Sequence, residues 1–228
     1  TCQTEEEAAK APNDPNAQGR KKHAGDAIFE DVNNDGQLDS KDMIFMGYVR
    51  PDKVGGIINT LKYKGLTVRI VMDWAMGHVI DNGFKGQIMG SSRNNNNAIK
   101  EAMTNSWQSA NDGSKYPKYT VQSDYDYQYR NHMRWDNQIG SSASGSTNNS
   151  LYFSKGDYLA FREVSLSYML PLSWIRKMRL SAVEVFAGAY NIGYIKKYDG
   201  MFPEIYTGVD YGIYPRPRQY NMGVKINF

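Results

Sequence analysis

The sequence lacks three features that would place it in a familiar class of protein. Cys2 is the only cysteine, which excludes an internal disulfide framework and leaves the redox compartment undecided. No apolar run approaches the roughly 18 residues of a membrane-spanning helix, which excludes helical spans but not the weaker strand pattern of a membrane barrel. The chain starts Thr-Cys-Gln-Thr without an initiator Met or a signal peptide, so we expect a processed chain or a fragment.

A strong charge of either sign is also missing. The 228 residues include 27 Lys and Arg against 24 Asp and Glu, which gives a formal net charge of +3. This mild balance, with no basic stretch interleaved with aromatic residues, predicts that nucleic acid is not a partner.

Sequence signatures of enzymes are absent. His23, His78 and His132 are scattered along the chain without the spacing of metal ligands or of a catalytic triad. No nucleophile-elbow or phosphate-binding-loop motif occurs. We therefore expect no catalytic residue and a protein that is not an enzyme.

Tyrosine is the residue type in excess. The chain has 17 Tyr and 4 Trp against 8 Phe, although its mean hydropathy is −0.63. Aromatic rings with a polar tip suit wet interfaces, membrane girdles and surfaces that bind sugars or peptides. We expect contact with a substrate or partner from the aromatic residues Trp107, Tyr116, Tyr119, Tyr198, Tyr206 and Tyr211.

The final stretch, Tyr220 to Phe228, alternates apolar and polar side chains at every position. Successive side chains of a strand point to opposite faces, so this stretch predicts a strand with one apolar and one wet face. A half-buried strand of a soluble sheet shows this pattern, and so does a transmembrane strand of about 9–11 residues. The aromatic residue at the last apolar position favours the membrane barrel.

Similar alternation elsewhere predicts an all-β chain. A change of parity at Arg162-Glu163 predicts a β-bulge there. We expect a polar loop or linker over residues 1–24, followed by a barrel segment over 25–228 with strands over about 54–63, 66–76, 158–170, 181–192 and 216–228.

The connections between these strands differ greatly in length. Residues 77–156 form a long polar stretch rich in Gly, Ser and Asn, whereas Lys64-Gly65 and residues 171–179 are short turns. Outer-membrane barrels place long loops outside the cell and short turns in the periplasm. If Phe228 ends at the periplasm, every long connection, including 77–156, is extracellular.

Residues 31–42 match a calcium-loop pattern closely. Oxygen-bearing side chains at alternate positions of a tight turn suit a hard cation, and Gly36 falls at the sharp turn. Position 12 of the loop, Asp42, is Asp instead of the bidentate Glu of sensor loops, which favours a structural Ca²⁺ site, and Mg²⁺ is a further option. The alternative is a turn whose side chains bind only water. The predicted ligands are Asp31, Asn33, Asp35, Gln37, Asp39 and Asp42.

Several short motifs, taken in order, resemble one known family. They are Gly25-Asp-Ala-Ile-Phe-Glu-Asp-Val-Asn-Asn-Asp-Gly36, Met46-Gly-Tyr48, Tyr63-Lys-Gly65, Val164-Ser-Leu-Ser-Tyr-Met-Leu-Pro171, Tyr190-Asn-Ile192 and Tyr214-Pro-Arg-Pro-Arg-Gln-Tyr220. Their sequence along the chain is similar to the C-terminal part of the SusC/RagA family of TonB-linked outer-membrane transporters.

The resemblance implies a specific setting. Such a transporter would be a barrel of about 22 strands with a plugged lumen, in the outer membrane of a Gram-negative bacterium. It would import large nutrients, oligosaccharides or oligopeptides, with a SusD-like surface lipoprotein, and would be driven by the TonB complex. This chain would supply the C-terminal strands of the transmembrane antiparallel β-barrel and would depend on the remaining barrel and plug portion and on outer-membrane lipid.

Two further expectations complete this interpretation. Phe228 resembles the terminal aromatic residue by which assembly machinery recognises outer-membrane barrels. The alternative function is a secreted β-rich module that carries the calcium loop and binds a glycan. Loss of most structure on calcium removal would favour that module, whereas a barrel would lose only the order of one loop.

Overall fold

The structure, a computed structural model, describes residues 1–17, 19–89, 99–119 and 150–228. It contains two compact units. The sheet unit comprises Gly47–Ile80, Ser154–Gly208 and Ile213–Phe228. The loop unit comprises Thr1–Met46, Val209–Gly212 and the described part of Asp81–Phe153. All the long strands lie in the sheet unit.

Antiparallel strands dominate the described residues. Five of them form one sheet in the order β1-β2-β5-β6-β7, so each long strand pairs with the next long strand in sequence, and β3 pairs with β4. The expected all-β class is confirmed. The strands are β1 (Lys53–Tyr63), β2 (Leu66–Met76), β3 (Val79–Asp81), β4 (Phe153–Lys155), β5 (Tyr158–Met169), β6 (Ala182–Lys196) and β7 (Gln219–Asn227).

Two strand ends differ from those that the alternation predicts. β6 continues beyond residue 192 because its last residues pair with the start of β5, up to the pair Tyr158 and Lys196. β7 begins at Gln219 instead of residue 216. Pro217 has no N–H to donate to a strand ladder, which explains the later start.

The helices are short. They are α1 (Glu5–Ala9), α2 (Gly83–Met89), α3 (Lys100–Thr104) and α4 (Leu172–Ile175), with 3₁₀ turns at Pro15–Ala17, Ser40–Asp42, Ser150–Tyr152 and Arg176–Met178. Two of these helices and one 3₁₀ turn fall within the long connection 77–156. No helix in the described ranges is long and apolar enough to cross a membrane.

The strand register places most apolar side chains on one face and most polar side chains on the other. The exceptions are Asn59 on the first face and Ile58, Val71 and Phe186 on the second. One face of the sheet, the apolar face, carries Leu61, Tyr63, Val68, Ile70, Met72, Val164, Leu166, Val185, Tyr220, Met222, Val224 and Ile226. The opposite face, the polar face, carries Thr60, Lys62, Thr67, Arg69, Asp73, Arg162, Glu163, Ser165, Ser167, Tyr190 and Asn221. The apolar face is open, with Met222 87% and Tyr220 72% exposed.

A β-bulge at Arg162 confirms the predicted change of parity. Against β2, β5 carries one extra residue, since Val71 and Met72 pair with Glu163 and Phe161. Against β6 the extra residue is on β6, since Phe161 and Glu163 pair with Gly193 and Tyr190. The extra residue on β5 leaves Arg162 and Glu163 on the same face, although they are neighbours in sequence. The bulge therefore brings the Arg162 guanidinium to Asp73 on the polar face.

The N-terminal residues belong to the loop unit. Residues 1–24 were expected to be a polar loop or linker, yet Cys2 is fully buried and Ala17 is 1% exposed. The Cys2 N–H donates to the Asp26 carbonyl at 2.8 Å, and the Thr4 hydroxyl caps α1 by accepting from Glu7 N–H. Backbone pairing and capping therefore give this polar segment fixed structure.

Each unit has a small hydrophobic core. In the loop unit, the buried cluster is Ala27, Met89, Ala102, Tyr116 and Tyr152. In the sheet unit, the buried cluster is Ile80, Tyr198, Phe202 and Ile205, with Tyr194 packed against it. The second cluster fixes the connection between β6 and β7 onto its own unit.

Gly55 gives room to the largest side chain of β2. Gly55 lies directly opposite Trp74 in the register of β1 and β2. A Cβ atom built at Gly55 would overlap the Trp74 indole ring. The glycine therefore lets the indole lie flat across β1, which has no further strand beyond it in the described sheet.

We predict that Gly55→Ala lowers the free energy of unfolding by about 1–3 kcal/mol, because the added methyl group displaces the indole. Unfolding by denaturant, followed by tryptophan fluorescence, measures this. The matched control is the same substitution in a Trp74→Leu background, where the loss should nearly vanish. An equal loss in both backgrounds would show that the indole does not need the space.

Candidate functional site

The predicted calcium loop is a tight turn in the loop unit. Asn34 and Gly36 adopt left-handed backbone conformations, with φ of 59° and 83°. Glycine reaches this region without strain, and Asn tolerates it better than most residues. The chain therefore reverses direction between residues 31 and 37, as the calcium-loop motif requires.

Side-chain oxygens of the turn bind its own backbone. Asp31 Oδ2 accepts a hydrogen bond from Gly36 N–H at 2.7 Å, and Asn33 Oδ1 accepts from Asp35 N–H at 3.0 Å. Asp35 Oδ1 in turn accepts from Gln37 N–H at 3.0 Å. The Gln37 N–H and the Asn33 amide hold the pKa of Asp35 below its usual range, since both stabilise the carboxylate.

The second half of the loop is capped in the same way. Asp39 and Asp42 form a reciprocal capping box around the 3₁₀ turn, and Asp42 Oδ1 accepts from Val32 N–H at 2.9 Å. Lys41 Nζ lies 3.7 Å from Asp35 Oδ2 and 3.5 Å from Asp39 Oδ2. The lysine ammonium thus supplies positive charge between two of the predicted ligands.

The donor set suits a hard cation, but its side chains are not gathered around one point. No group of three or more His, Cys, Asp or Glu side chains in the described ranges converges as metal ligands. The oxygen-only composition and alternate spacing still match calcium chemistry. Calcium binding by Asp31, Asn33, Asp35, Gln37, Asp39 and Asp42 therefore stays a prediction, in which the cation would replace Lys41 between Asp35 and Asp39.

Four of the predicted contact aromatics lie in the loop unit, and three of them, Trp107, Tyr116 and Tyr119, take part in its packing. Tyr116 is 3% exposed, and its hydroxyl donates to Glu101 Oε1 at 2.6 Å. Tyr119 packs against the same core. The Trp107 ring covers Gly25, where a Cβ would overlap it, and the Trp107 backbone N–H donates to the Tyr116 carbonyl. These rings stabilise the unit in this structure.

The other three predicted aromatics differ in exposure. Tyr198 is 2% exposed and belongs to the core of the sheet unit. Tyr206 is 82% exposed and Tyr211 is 58% exposed. Only Tyr206 and Tyr211 of the six therefore present most of their ring to a molecule outside the chain.

A buried carboxylate that the sequence analysis did not single out organises the connection between β6 and β7. The Glu204 side chain is 1% exposed. Its Oε1 lies 2.5 Å from Arg162 Nη1 and accepts from the Tyr194 hydroxyl at 2.7 Å. Its Oε2 lies 3.4 Å from Arg216 Nη2. Its two oxygens are therefore shared among two guanidinium groups and a tyrosine hydroxyl.

Arg162 links this connection to the sheet. Its guanidinium binds both carboxylate oxygens of Asp73 on β2 while it contacts Glu204, so it bridges two acidic groups. Its side chain is 19% exposed. The predicted bulge at Arg162 was the signal for this site; nothing in the sequence indicated that Glu204 would be its partner.

The polar face also forms a shallow hollow of about 400 Å³. Hydroxyl, amide and cationic side chains line it together with the apolar Leu166, Phe186 and Ala187; the polar ones include Thr60, Lys62, Arg69, Ser165, Tyr190 and Asn221. Arg69 Nε lies 3.4 Å from Glu163 Oε2 at its edge. The face opposite the apolar one therefore offers hydrogen-bonding groups along its length, as the wall of an aqueous lumen would.

The chain is similar to two curated TonB-dependent receptors. No protein-family model matches the chain. TonB-dependent receptor P3 of Formosa agariphila is 25% identical over 216 residues, 90% of this chain and 19% of the receptor. TonB-dependent receptor P26 of the same organism is 23% identical over 216 residues, 90% of this chain and 20% of the receptor. The chain thus spans about a fifth of the length of these relatives.

Solved structures show the same fold. A chain of the RagAB peptide importer in its open–open state aligns over 87% of this chain and 20% of its own length, with a TM-score of 0.61 and 20% identity. The resemblance to SusC/RagA-type TonB-linked transporters is confirmed. The RagAB peptide transporter aligns similarly, over 85% of this chain and 19% of its own length, with a TM-score of 0.60 and 22% identity.

We predict that calcium binds the loop, and that Asp31→Asn combined with Asp35→Asn weakens binding at least about tenfold by removing two of the four carboxylates. Lys41→Gln should strengthen binding, because it removes the competing cation. Calorimetric titration of the intact protein measures both effects, with Asp52→Asn as the control outside the loop. Absence of a calcium-dependent heat in the unaltered protein would leave the turn as merely solvated.

We predict that Glu204→Gln lowers the free energy of unfolding by about 1–3 kcal/mol, because it removes one of the two carboxylates that the Arg162 guanidinium bridges. Hydrogen exchange of amides 197–208 should rise as the connection loosens. Asp199→Asn, at an exposed carboxylate of the same connection, should change neither quantity by much. Unchanged exchange in Glu204→Gln would show that the hydrophobic cluster alone holds the connection.

Proposed function

We propose that this chain forms part of the barrel wall of a TonB-dependent outer-membrane importer of large nutrients. The observation that carries the proposal is the division of the sheet into two faces. The apolar face is exposed across four strands, including Leu61, Val164, Val185 and Met222, while charged pairs lie on the polar face. Lipid outside and water inside a barrel match this division.

The open edges of the sheet support a larger assembly. β1 and β7 each have one strand neighbour within the described sheet. In a hydrocarbon environment, unpaired backbone N–H and C=O groups at an edge are too costly, so membrane sheets close into barrels. Further strands would pair with β1 and β7. The remaining barrel and plug portion of the transporter would supply them, in keeping with the length of the relatives.

The two ends of the sheet suggest its orientation. The turns at Lys64–Gly65 and 170–181, and the end of β7, lie at one end, which we assign to the periplasm. The connections at 77–157 and 197–218 leave the other end, which we assign to the outside of a Gram-negative cell. In this orientation Tyr206, in the connection between β6 and β7, faces the external medium.

The partners follow from the resemblance. We propose a SusD-like surface lipoprotein at the external end and the TonB complex, acting through the plug, at the periplasmic end. The substrate would be an oligopeptide or an oligosaccharide, and the solved relative is named as a peptide importer. Exposed Tyr206 and Tyr211 are the candidate contacts, because aromatic rings pack on either substrate. The relatives are named as receptors and transporters, in accord with a protein that is not an enzyme.

The alternative, a secreted module that carries the calcium loop and binds a glycan, fits this structure less well than a barrel segment. A soluble module must cover the apolar side of its sheet, since burial of apolar area is what stabilises it. Here Val164 is 37% and Leu166 47% exposed in the middle of the sheet, so described residues do not cover them. Hydrocarbon chains of a membrane would cover them without further protein.

We predict that Val164→Lys and Ser165→Lys, at adjacent positions of β5, have opposite outcomes in the complete transporter. Val164→Lys places a charge toward lipid at a cost of about 2–4 kcal/mol near the bilayer centre and should strongly reduce the folded barrel in the outer membrane. Ser165→Lys faces the lumen and should assemble normally. The amount of folded barrel of each variant in the outer membrane is measured by membrane fractionation and by the shift in gel mobility on heating. Equal assembly of the two variants would contradict the proposed orientation of the faces.

A further inference from the structure

One end of the sheet unit gathers three chain segments at the same level. Met169 N–H donates to the Gly65 carbonyl at 2.9 Å, which joins the end of β5 to the turn between β1 and β2. Ser181 N–H donates to the Asn227 carbonyl at 2.9 Å, and its hydroxyl donates to the Phe228 carbonyl at 3.2 Å. Hydrogen bonds therefore fix the segment between β5 and β6 against both neighbours.

This segment, residues 170–181, is cationic and carries no acidic side chain. Arg176, Lys177 and Arg179 are all exposed, and none of them forms an ion pair with a described residue. Lys64 adds a fourth cation on the adjacent turn, where its ammonium lies 5.2 Å from the centre of the Tyr63 ring. The end of the sheet assigned to the periplasm thus carries four cations that form no side-chain ion pair with a described residue.

Apolar side chains accompany these cations. Leu172 and Met178 are each 59% exposed, and Trp174 is 64% exposed. Ile175 is 1% exposed and anchors the short α4 turn to the sheet unit, so the other side chains of the turn point away from the protein. Tryptophan next to cations is typical of the boundary between hydrocarbon and headgroups, where the ring is half immersed and the charges reach phosphate.

Arg179 ends this turn in a strained backbone conformation. Its φ is 56°, in the left-handed region that glycine adopts without strain. Its N–H closes the turn on the Arg176 carbonyl at 3.2 Å. The Arg179 side chain is exposed at the end of this turn and, within the described residues, forms no salt bridge.

We infer that Arg176, Lys177 and Arg179, with Trp174, form a docking surface for anionic glycerophospholipid headgroups of the periplasmic leaflet. The inference rests on the proposed function, which places this end of the sheet at that leaflet. Each cation is attracted to the negative surface potential of such lipids, and guanidinium groups bind phosphate oxygens through paired hydrogen bonds.

The test uses the complete transporter in nanodiscs of phosphatidylethanolamine with increasing phosphatidylglycerol. Native mass spectrometry counts the phosphatidylglycerol molecules that remain bound when the transporter is released from the nanodisc. The variant Arg176→Gln, Lys177→Gln, Arg179→Gln should lower the apparent affinity for phosphatidylglycerol at least about tenfold. The control variant, Arg50→Gln with Lys53→Gln, neutralises exposed cations at the opposite end of the sheet and should bind as the unaltered protein does.

A second variant guards against a folding defect. Arg179→Gly removes one cation and relieves the backbone strain, so it should fold at least as well and still bind phosphatidylglycerol more weakly. Equal binding by the unaltered protein and both variants, all folded in the nanodisc, would overturn the docking surface and leave the barrel proposal intact. Displacement of the lipid by inorganic phosphate would also overturn it. Failure of the unaltered protein to fold in any lipid would instead count against the barrel.

Discussion

The pairing of backbone N–H and C=O groups across the five-stranded sheet is the constraint on which the rest of this structure depends. Side chains on paired strands alternate strictly between two faces, so one register decides which residues meet lipid and which meet water in the proposed barrel. The register places Val164 and Met222 on one face and Arg69 and Glu163 on the other. A slip of one residue on any strand would put charges into the apolar face.

The bulge at Arg162 shows how the sheet accommodates a local exception. One extra residue lets Arg162 share the polar face with Glu163, and from there it reaches Asp73 and Glu204. Glu204 then holds the connection between β6 and β7, whose cluster of Tyr198, Phe202 and Ile205 packs beside it. A displacement of one residue in a strand therefore fixes the position of a long connection that would lie at the external mouth of the barrel.

The sequence predicted the parts of this structure that depend on local pattern. Alternation is a property of neighbouring residues, so β2, β7 and the bulge were visible before any coordinates. The partnership of Arg162 with Glu204, 42 positions apart, was not visible, because nothing local to either residue encodes it. The burial of Tyr116 and Tyr198 was hidden for the same reason: a tyrosine in a polar stretch has the same local sequence whether it packs inward or faces solvent.

The central claim is that the two faces of this sheet meet lipid and water. Spin labels at successive positions of β7, from Gln219 to Asn227, test this claim most directly in the reconstituted transporter. The measured quantity is how often each label collides with oxygen, which dissolves in the bilayer, and with a water-soluble nickel chelate. We predict a period of two, with oxygen contact at Tyr220, Met222, Val224 and Ile226 and chelate contact at the residues between them. Uniform contact with the chelate at every position would contradict the account.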